Sequence, residues 1–350
     1  MTIHVSDAGD ADLEQWDRYV SSSPRATVYH LSPWRRIFGE ALGYRHWLLM
    51  ARDASGAPCG VLPLYLVPGL LARRLVAVPF RDRGGPVFDT PEALVALLQR
   101  AGELARQQRA GLLLKSLVAL PETAATAGLT RYDHWVRSSM QLDGATRDSL
   151  WERIGGKNRN MVRQARQRGL TVECTTRHPG AARRWYSLHV QTQHRLGVPP
   201  FPARFFTLML DTLAPSASIE LVEARSDAGP CAATLLLLHN DTCIYGYSAS
   251  STEGQRLRAN DLMLFEALAL AAERKLAWFD FGSDSVSQES LLFFKRKWGA
   301  EQQPIPLYAS AGVAVPDSSD ARYALARSVF RAMPAALSMW IGARLVRRFG

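Results

Sequence analysis

The chain has 350 residues, 47% of them hydrophobic, which is enough for two domains with globular cores and excludes a disordered protein. Its 42 Lys and Arg against 32 Asp and Glu give a formal net charge of +10, favouring polyanionic partners such as phosphate-rich substrates, tRNA or anionic lipid. No run reaches the roughly 18 to 20 apolar residues of a spanning helix, and residues 1–17 lack the pattern of a signal peptide. 

In chain order, the turn cluster Ala51-Arg52-Asp53-Ala54-Ser55-Gly56-Ala57-Pro58-Cys59 leads into a strand over 61–67. Gly84-Gly85-Pro86 and Asp89 precede a helix expected at 91–108, with Leu94, Leu97, Leu98, Ala101 and Leu104 on one face. Leu112-Leu113-Leu114 then reads as a strand. A domain boundary is expected at Asp143-Gly144, after which Thr146 or Asp148 caps a helix that Gly155-Gly156 kinks or breaks. From Arg153 to Arg168 there are six basic residues and no acid. Arg159, Arg163 and Arg166 share one helical face, suited either to phosphate oxygens or to plain solvent exposure. A helix over 183–195 and another over 205–213 flank the extended Val198-Pro199-Pro200-Phe201-Pro202, with Arg195 and Arg204 as further anion-binding candidates.

A second turn cluster, Ala224-Arg225-Ser226-Asp227-Ala228-Gly229-Pro230-Cys231, repeats the first and leads into a strand over 233–239. Tyr245 and Tyr247 follow on a strand with Gly246 between them, and simple alternation puts both tyrosines on one side. A helix over 261–275 and a strand over 276–281 complete the repeat: a hairpin, a helix and a strand in each half. Gly282 is expected to end that last strand in a tight turn. In the short helix beyond it, Leu291, Phe294, Lys295 and Trp298 fall on one stripe, so Lys295 lies on an apolar side and needs a negative partner. That partner is Asp280, another acid, or a charge that develops on the substrate. The tail is helical over 321–349 with a break at Pro334, and after Asp320 it carries six arginines and no acid. Its apolar positions, among them Ala324, Leu325, Val329, Leu337 and Trp340, suit either a bilayer interface or packing on the second domain.

The Trp278-Phe279-Asp280-Phe281-Gly282 strand end and Phe294-Lys295-Arg296-Lys297-Trp298-Gly299 resemble the second domain of Fem-type (FemAB-like) acyltransferases. These double-GNAT proteins add amino acids or acyl groups to cell-envelope precursors. Gly156-Lys157-Asn158-Arg159-Asn160 resembles the family's basic helix, Gly246-Tyr247-Ser248 its central aromatic strand, and Val28-Tyr29-His30-Leu31-Ser32-Pro33-Trp34 its N-terminal segment. The likeness spans residues 25–310. In the tail, Arg331-Ala332-Met333-Pro334 is similar to members encoded with exosortase (PEP-CTERM) systems.

The resemblance implies an α/β chain of two tandem GNAT-like domains, 1–143 and 144–312, followed by a basic amphipathic tail over 313–350. It implies that Lys295, beside Phe294, stabilises the oxyanion of acyl transfer, that Tyr247 lines the acceptor site, and that Asp89 presents an acid to the acceptor; alternation on the strand adds Tyr245 as a substrate-binding candidate. Asp280, Arg159, Arg163, Arg195, Arg204 and Asn260 complete the substrate-binding candidates. An acetyl-CoA domain carries a glycine-rich loop for the pyrophosphate. Here that stretch is Gln255-Arg256-Leu257-Arg258-Ala259-Asn260, without the glycines, and its helix start at Asn260-Asp261 sets an acid against a phosphate. That weakens the case for tight CoA binding and fits the resemblance, since Fem-type proteins use aminoacyl-tRNA; the donor expected is aminoacyl-tRNA or acyl-CoA. The expected acceptor is an amine of a nucleotide- or lipid-linked envelope saccharide or a peptidoglycan precursor.

The four cysteines (Cys59, Cys174, Cys231, Cys243) and the scattered His178, His189, His194 and His239 show no metal-ligand spacing. No metal and no tightly bound cofactor are expected, and the location expected is cytoplasmic, peripheral at the inner face of the membrane if the tail binds lipid. There is no Gly-x-Ser-x-Gly elbow and no Walker loop. A non-enzymatic reading, a basic adaptor for membrane or nucleic acid, leaves Lys295 without purpose.

Overall fold

The computed structural model describes residues 2–69, 72–80, 83–121, 128–176, 179–214, 217–313, 315 and 321–348; His178 lies outside them. In chain order, β1 (His4–Asp7), α1 (Leu13–Ser22) and α2 (Trp34–Leu42) precede β2 (Arg45–Arg52), β3 (Pro58–Val67), β4 (Arg74–Val76) and β5 (Val87–Phe88). Then come α3 (Pro91–Gln107), β6 (Gly111–Lys115), β7 (Leu129–Gln141), α4 (Arg147–Arg153), α5 (Gly156–Gln167) and β8 (Thr171–Thr176). They are followed by α6 (Pro179–Leu196), α7 (Ala203–Thr212), β9 (Ser218–Ser226), β10 (Gly229–His239), β11 (Thr242–Ser250), α8 (Thr252–Arg256) and α9 (Ala259–Glu273). Last come β12 (Trp278–Ser285), α10 (Glu289–Lys297), β13 (Glu301–Ser310), α11 (Ala321–Ala332) and α12 (Ala335–Leu345). The mixed α/β class expected from the sequence is the one the chain adopts.

The chain divides into two compact units, one of Met1–Trp135, Pro304–Asp317 and Leu345–Gly350, the other of Val136–Gln303 and Ser318–Arg344. The sequence put the division at residue 143, beyond the end of β7; the units part within that strand. In the first unit the strand order is β1-β2-β3-β4-β6-β13, with β5 also on β3. The β2–β3 hairpin closes on Asp53, whose carboxylate accepts from the Ser55 and Ala57 amides, and on Gly56 at φ +85°. Thr90 caps α3 by accepting from the Ala93 amide, and Pro91 sits in the first turn, where its missing N–H costs nothing. Leu94, Leu97, Leu98, Ala101 and Leu104 of α3 are buried against the sheet, and β6 returns parallel to β4.

The second unit repeats this plan. The β9–β10 hairpin turns at Gly229, β11 follows antiparallel to β10, and α9 carries the chain to β12, parallel to β11. Because α9 is apolar on nearly all sides, it is buried on nearly all sides, against the sheet and α5. The other face of the sheet is covered by α6 and by an aromatic cluster from α6 and α7. Thr146 caps α4 as expected, and Gly155-Gly156 separates α4 from α5.

Helices α11 and α12 break around Met333-Pro334. Helix α11 packs on α6, where a Cβ at Gly197 would lie 2.3 Å from the Arg327 carbonyl oxygen, and His194 Nε2 donates to the Met333 carbonyl at 2.8 Å. Gly342 of α12 abuts the Pro200 ring. Val329 and Leu337 stay exposed; the side chains of Ala324, Leu325 and Trp340 lie outside those described.

Candidate functional site

Strands β11 and β12 pair for three residues only, Thr242 with Trp278, Cys243 with Phe279 and Ile244 with Asp280. Beyond that point no pairing joins the two strands, and this unzipped stretch is the wedge. Asp280 sits at its vertex, fully buried, and its carboxylate accepts from Arg137 Nε at 2.7 Å and from the Gly282 amide at 2.8 Å. The sequence ended the strand at Gly282; instead β12 continues to Ser285, and Gly282, at φ +84°, is a kink inside it. Only glycine enters that region at little cost.

The kink aims Asp284 at α10. Lys295 Nζ donates to Asp284 Oδ2 at 2.5 Å and to the Gly282 carbonyl at 3.3 Å. The side chains of the pair are 9% and 8% exposed, so the ion pair is desolvated. Asp280, the partner first considered for Lys295, is instead committed to Arg137. Asp284 and Arg137 were not singled out from the sequence. The signal available was a second acid shortly after Asp280, past a glycine able to redirect the strand. The apolar stripe is also only partly as expected: Leu292, Lys295 and Trp298 are buried, whereas Leu291, Phe293 and Phe294 are exposed.

Across the wedge, β11 carries a bulge. Leu235 pairs with Tyr247 and Leu236 with Tyr245, leaving Gly246 as the extra residue. The two tyrosines therefore face opposite sides, not the same side. Tyr245 packs on the core beneath α9, its ring 5.9 Å from that of Phe279. Burial, with Asp261 nearby, pushes its hydroxyl up to about 12. Tyr247 is enclosed by Trp185, Phe201, Phe205 and Phe206, and Trp185 Nε1 donates to its carbonyl at 3.0 Å. His189 lies in the same cluster, 2% exposed, and burial drives its imidazole down to about 3, so it is neutral.

At the end of β11, Arg195 donates to the Ser250 carbonyl at 2.9 Å, and Asn260 Nδ2 to Ser250 Oγ at 3.3 Å. Burial lowers the Arg195 guanidinium from its usual value. Helix α9 starts earlier than expected. Its N-cap is Arg258, at φ +65°, whose carbonyl accepts from the Asp261 and Leu262 amides, while Asp261 lies buried in the first turn with its carboxyl raised by that burial. Gly254 is fixed by packing, since a Cβ there would meet the Cys231 carbonyl oxygen at 2.2 Å.

The remaining candidates lie elsewhere. Arg159 braces the end of α4, its NH1 donating to the carbonyls of Trp151, Glu152 and Ile154. Arg163 lies over the Trp151 ring and Arg166 pairs with Glu266. Arg204 is exposed on α7. Asp89, in the first unit, accepts from the Tyr19 hydroxyl at 3.0 Å, and burial together with that carboxylate raises the Tyr19 hydroxyl.

Residues 156–290, which hold the wedge, match the family model described as acetyltransferase (GNAT) domain. No curated protein matches the sequence. In fold, the chain is similar to the crystal structure of FemX, with a TM-score of 0.69, 17% identity, and 87% of this chain and 96% of that one covered. It is also similar to the C-terminal domain of a putative lysylphosphatidylglycerol synthetase from Agrobacterium fabrum, with a TM-score of 0.61, 16% identity, and 91% and 96% covered. A tandem GNAT protein from the clavulanic acid biosynthesis pathway gives 0.58 and 16%, with 90% and 100% covered. The fold is thus that of tandem GNAT proteins, and the GNAT domain in residues 156–290 makes the chain an acyltransferase.

Proposed function

We propose that the chain transfers an aminoacyl or acyl group to an amine of a cell-envelope saccharide or peptidoglycan precursor, with chemistry at the wedge between β11 and β12. The observation that carries this reading is the buried Lys295–Asp284 pair on the kinked end of β12. In the reaction the acceptor amine attacks the donor carbonyl carbon, and the carbonyl oxygen takes the negative charge of the tetrahedral intermediate. The fixed Lys295 ammonium stabilises that oxygen without reorganising. Collapse breaks the bond to the leaving group, an oxygen or a thiolate, which takes up the proton released by the amine. Phe294, Tyr247 and Asp280 shape the site in this reading, Tyr245 backs β11 from the core side, and Arg195 with Asn260 marks the donor end.

The similarity in fold to FemX and to a putative lysylphosphatidylglycerol synthetase domain supports aminoacyl transfer. The resemblance to Fem-type proteins adds aminoacyl-tRNA as the donor and the cytoplasmic face of the membrane as the place of work in this reading. The tail's likeness to exosortase-associated proteins favours an exopolysaccharide precursor among such acceptors. An acyl-CoA donor is the second reading, favoured by the match to an acetyltransferase family. Against it stands the start of α9, where arginine replaces glycine and an acid lies buried.

Purified protein, supplied with labelled aminoacyl-tRNAs or acyl-CoAs and candidate amine acceptors, tests the proposal. Transfer is expected with an aminoacyl-tRNA, and Lys295→Met is expected to slow it roughly 100- to 1,000-fold. Full activity in Lys295→Met would remove the catalytic role. Acetyl-CoA is expected to bind no more tightly than about 1 mM by calorimetry, roughly −4 kcal/mol. Micromolar binding would decide for the second reading.

A further inference from the structure

The helix whose inner side carries the Lys295–Asp284 pair presents a second surface to solvent. Leu292, Lys295 and Trp298 point inward and are buried. Ser290, Phe293, Phe294 and Lys297 share the outer side of α10, at i, i+3, i+4 and i+7. Phe293 is 51% exposed and Phe294 38%, and the exposed Leu291 and Val286, the latter in the turn before α10, extend the apolar surface. An ordinary amphipathic surface helix carries polar side chains on that side. A contiguous apolar patch of this kind marks an interaction site.

Cations edge the patch. Lys297 Nζ lies 4.1 Å from the Phe293 ring centre, and the Arg296 guanidinium lies 5.9 Å from it. The start of α5 abuts the end of α10, where the Gly155 amide and Asn158 Nδ2 donate to the Lys297 carbonyl at 3.3 and 2.9 Å. That contact places Lys157, which is exposed, at the same end of α10. Lys157 and Lys297 form no ion pair among the described residues. The one acid of α10, Glu289, stands in its first turn, at the opposite end.

We infer that this face of α10 docks the protein on an anionic lipid surface, with Phe293 and Leu291 entering the boundary between headgroups and acyl chains and Lys297 and Lys157 meeting lipid phosphates. Exposed aromatic and leucine side chains beside lysines suit that boundary, because the rings leave water while the ammonium groups stay hydrated. A protein partner fits less well, since lysine is depleted from protein interfaces. A second copy packed symmetrically through this face would set lysines against lysines. A bilayer held there lies about 10 Å, one helix diameter, from the inner side of α10. That this bilayer carries the acceptor rests on the proposed function; the lipid-binding face itself does not.

Co-sedimentation of the full chain with vesicles tests it, with no donor or acceptor present. At low salt, binding to phosphatidylglycerol vesicles is expected to be at least about tenfold tighter than to phosphatidylcholine vesicles. Phe293→Asp, at a side chain outside the core, is expected to keep the parent's urea midpoint and to weaken that binding at least about tenfold. Lys297→Gln is expected to weaken it about fivefold. Unchanged binding in both variants, or equal binding to the two lipids, would overturn the face. A parent that ignores vesicles and forms a dimer that Phe293→Asp dissociates would assign the face to a second copy instead. Phe293-dependent vesicle binding in a protein inactive with every donor would leave the face standing and remove the transferase reading. Transfer to a soluble amine by a protein that ignores vesicles would do the reverse.

Discussion

Lys295 Nζ and Asp284 Oδ2 lie 2.5 Å apart, eleven residues apart in sequence, with both side chains more than nine-tenths buried. The stability of this end of the unit and the charge proposed to serve transfer therefore share one contact. Removing one partner strands a buried charge, which costs about 3–5 kcal/mol. Lys295→Met should then unfold at clearly lower urea than the parent, while Lys295→Met with Asp284→Asn should recover most of the loss and remain inactive. Equal stability of the single and double variants would show that the pair is not desolvated as described.

Acid should weaken the second unit through His189. Its folded value is held near 3, below the 6.5 of a free imidazole. Between those values the unfolded chain takes up a proton that the folded chain refuses. The stability is fully present above pH 6.5 and falls as pH drops, by up to about 1.4 kcal/mol per pH unit until near pH 3. His189→Phe keeps a flat ring among Trp185, Phe201 and Phe206, and should flatten this part of the profile. Denaturant melts from pH 4 to 7 measure it, and an unchanged slope would mean that the imidazole is solvated.

The bulge in β11 makes a sharper claim at Gly246. A Cβ there would come within 2.9 Å of the Leu235 carbonyl oxygen, so the strand pair must move. Gly246→Ala should cost about 1–3 kcal/mol and disturb the aromatic cluster around Tyr247, visible in near-ultraviolet circular dichroism. A neutral substitution would mean that the bulge is soft.

The tail separates packing from membrane binding. Contacts of α11 and α12 with α6 and Pro200 favour packing. A chain ending at Asp320 should melt several degrees lower or aggregate, since each 1 kcal/mol lost in a unit of roughly 150 to 250 residues lowers the midpoint by about 2–4 °C. In flotation with phosphatidylglycerol vesicles, a stable truncated chain that no longer floats, beside a full chain that does, would instead favour the lipid interface.

Much of the fold was legible because its signals are local. Thr90-Pro91 announces α3, the leucines of that helix mark its buried face, and the two turn clusters mark matching hairpins. What could not be read depends on backbone geometry that no residue type announces. Alternation placed Tyr245 and Tyr247 together, and one inserted residue at Gly246 reversed that. Lys295 was visible as a cation on a partly apolar helix. Its partner was not, because Asp284 reaches it only through the kink at Gly282. Arg159 has a composition suited to phosphate, yet spends its donors on carbonyls of the helix before it.

For anyone seeking to redirect this protein toward a different acyl group, the kink at Gly282 divides the neighbourhood into fixed and variable positions. Any other residue there must hold a positive φ at a cost of about 1–2 kcal/mol, and relaxing that strain would swing Asp284 away from Lys295. Randomised libraries should leave Gly282 and Asp284 alone. They can be spent on Leu291, Phe293 and Phe294, whose exposed side chains border the lysine without supporting it.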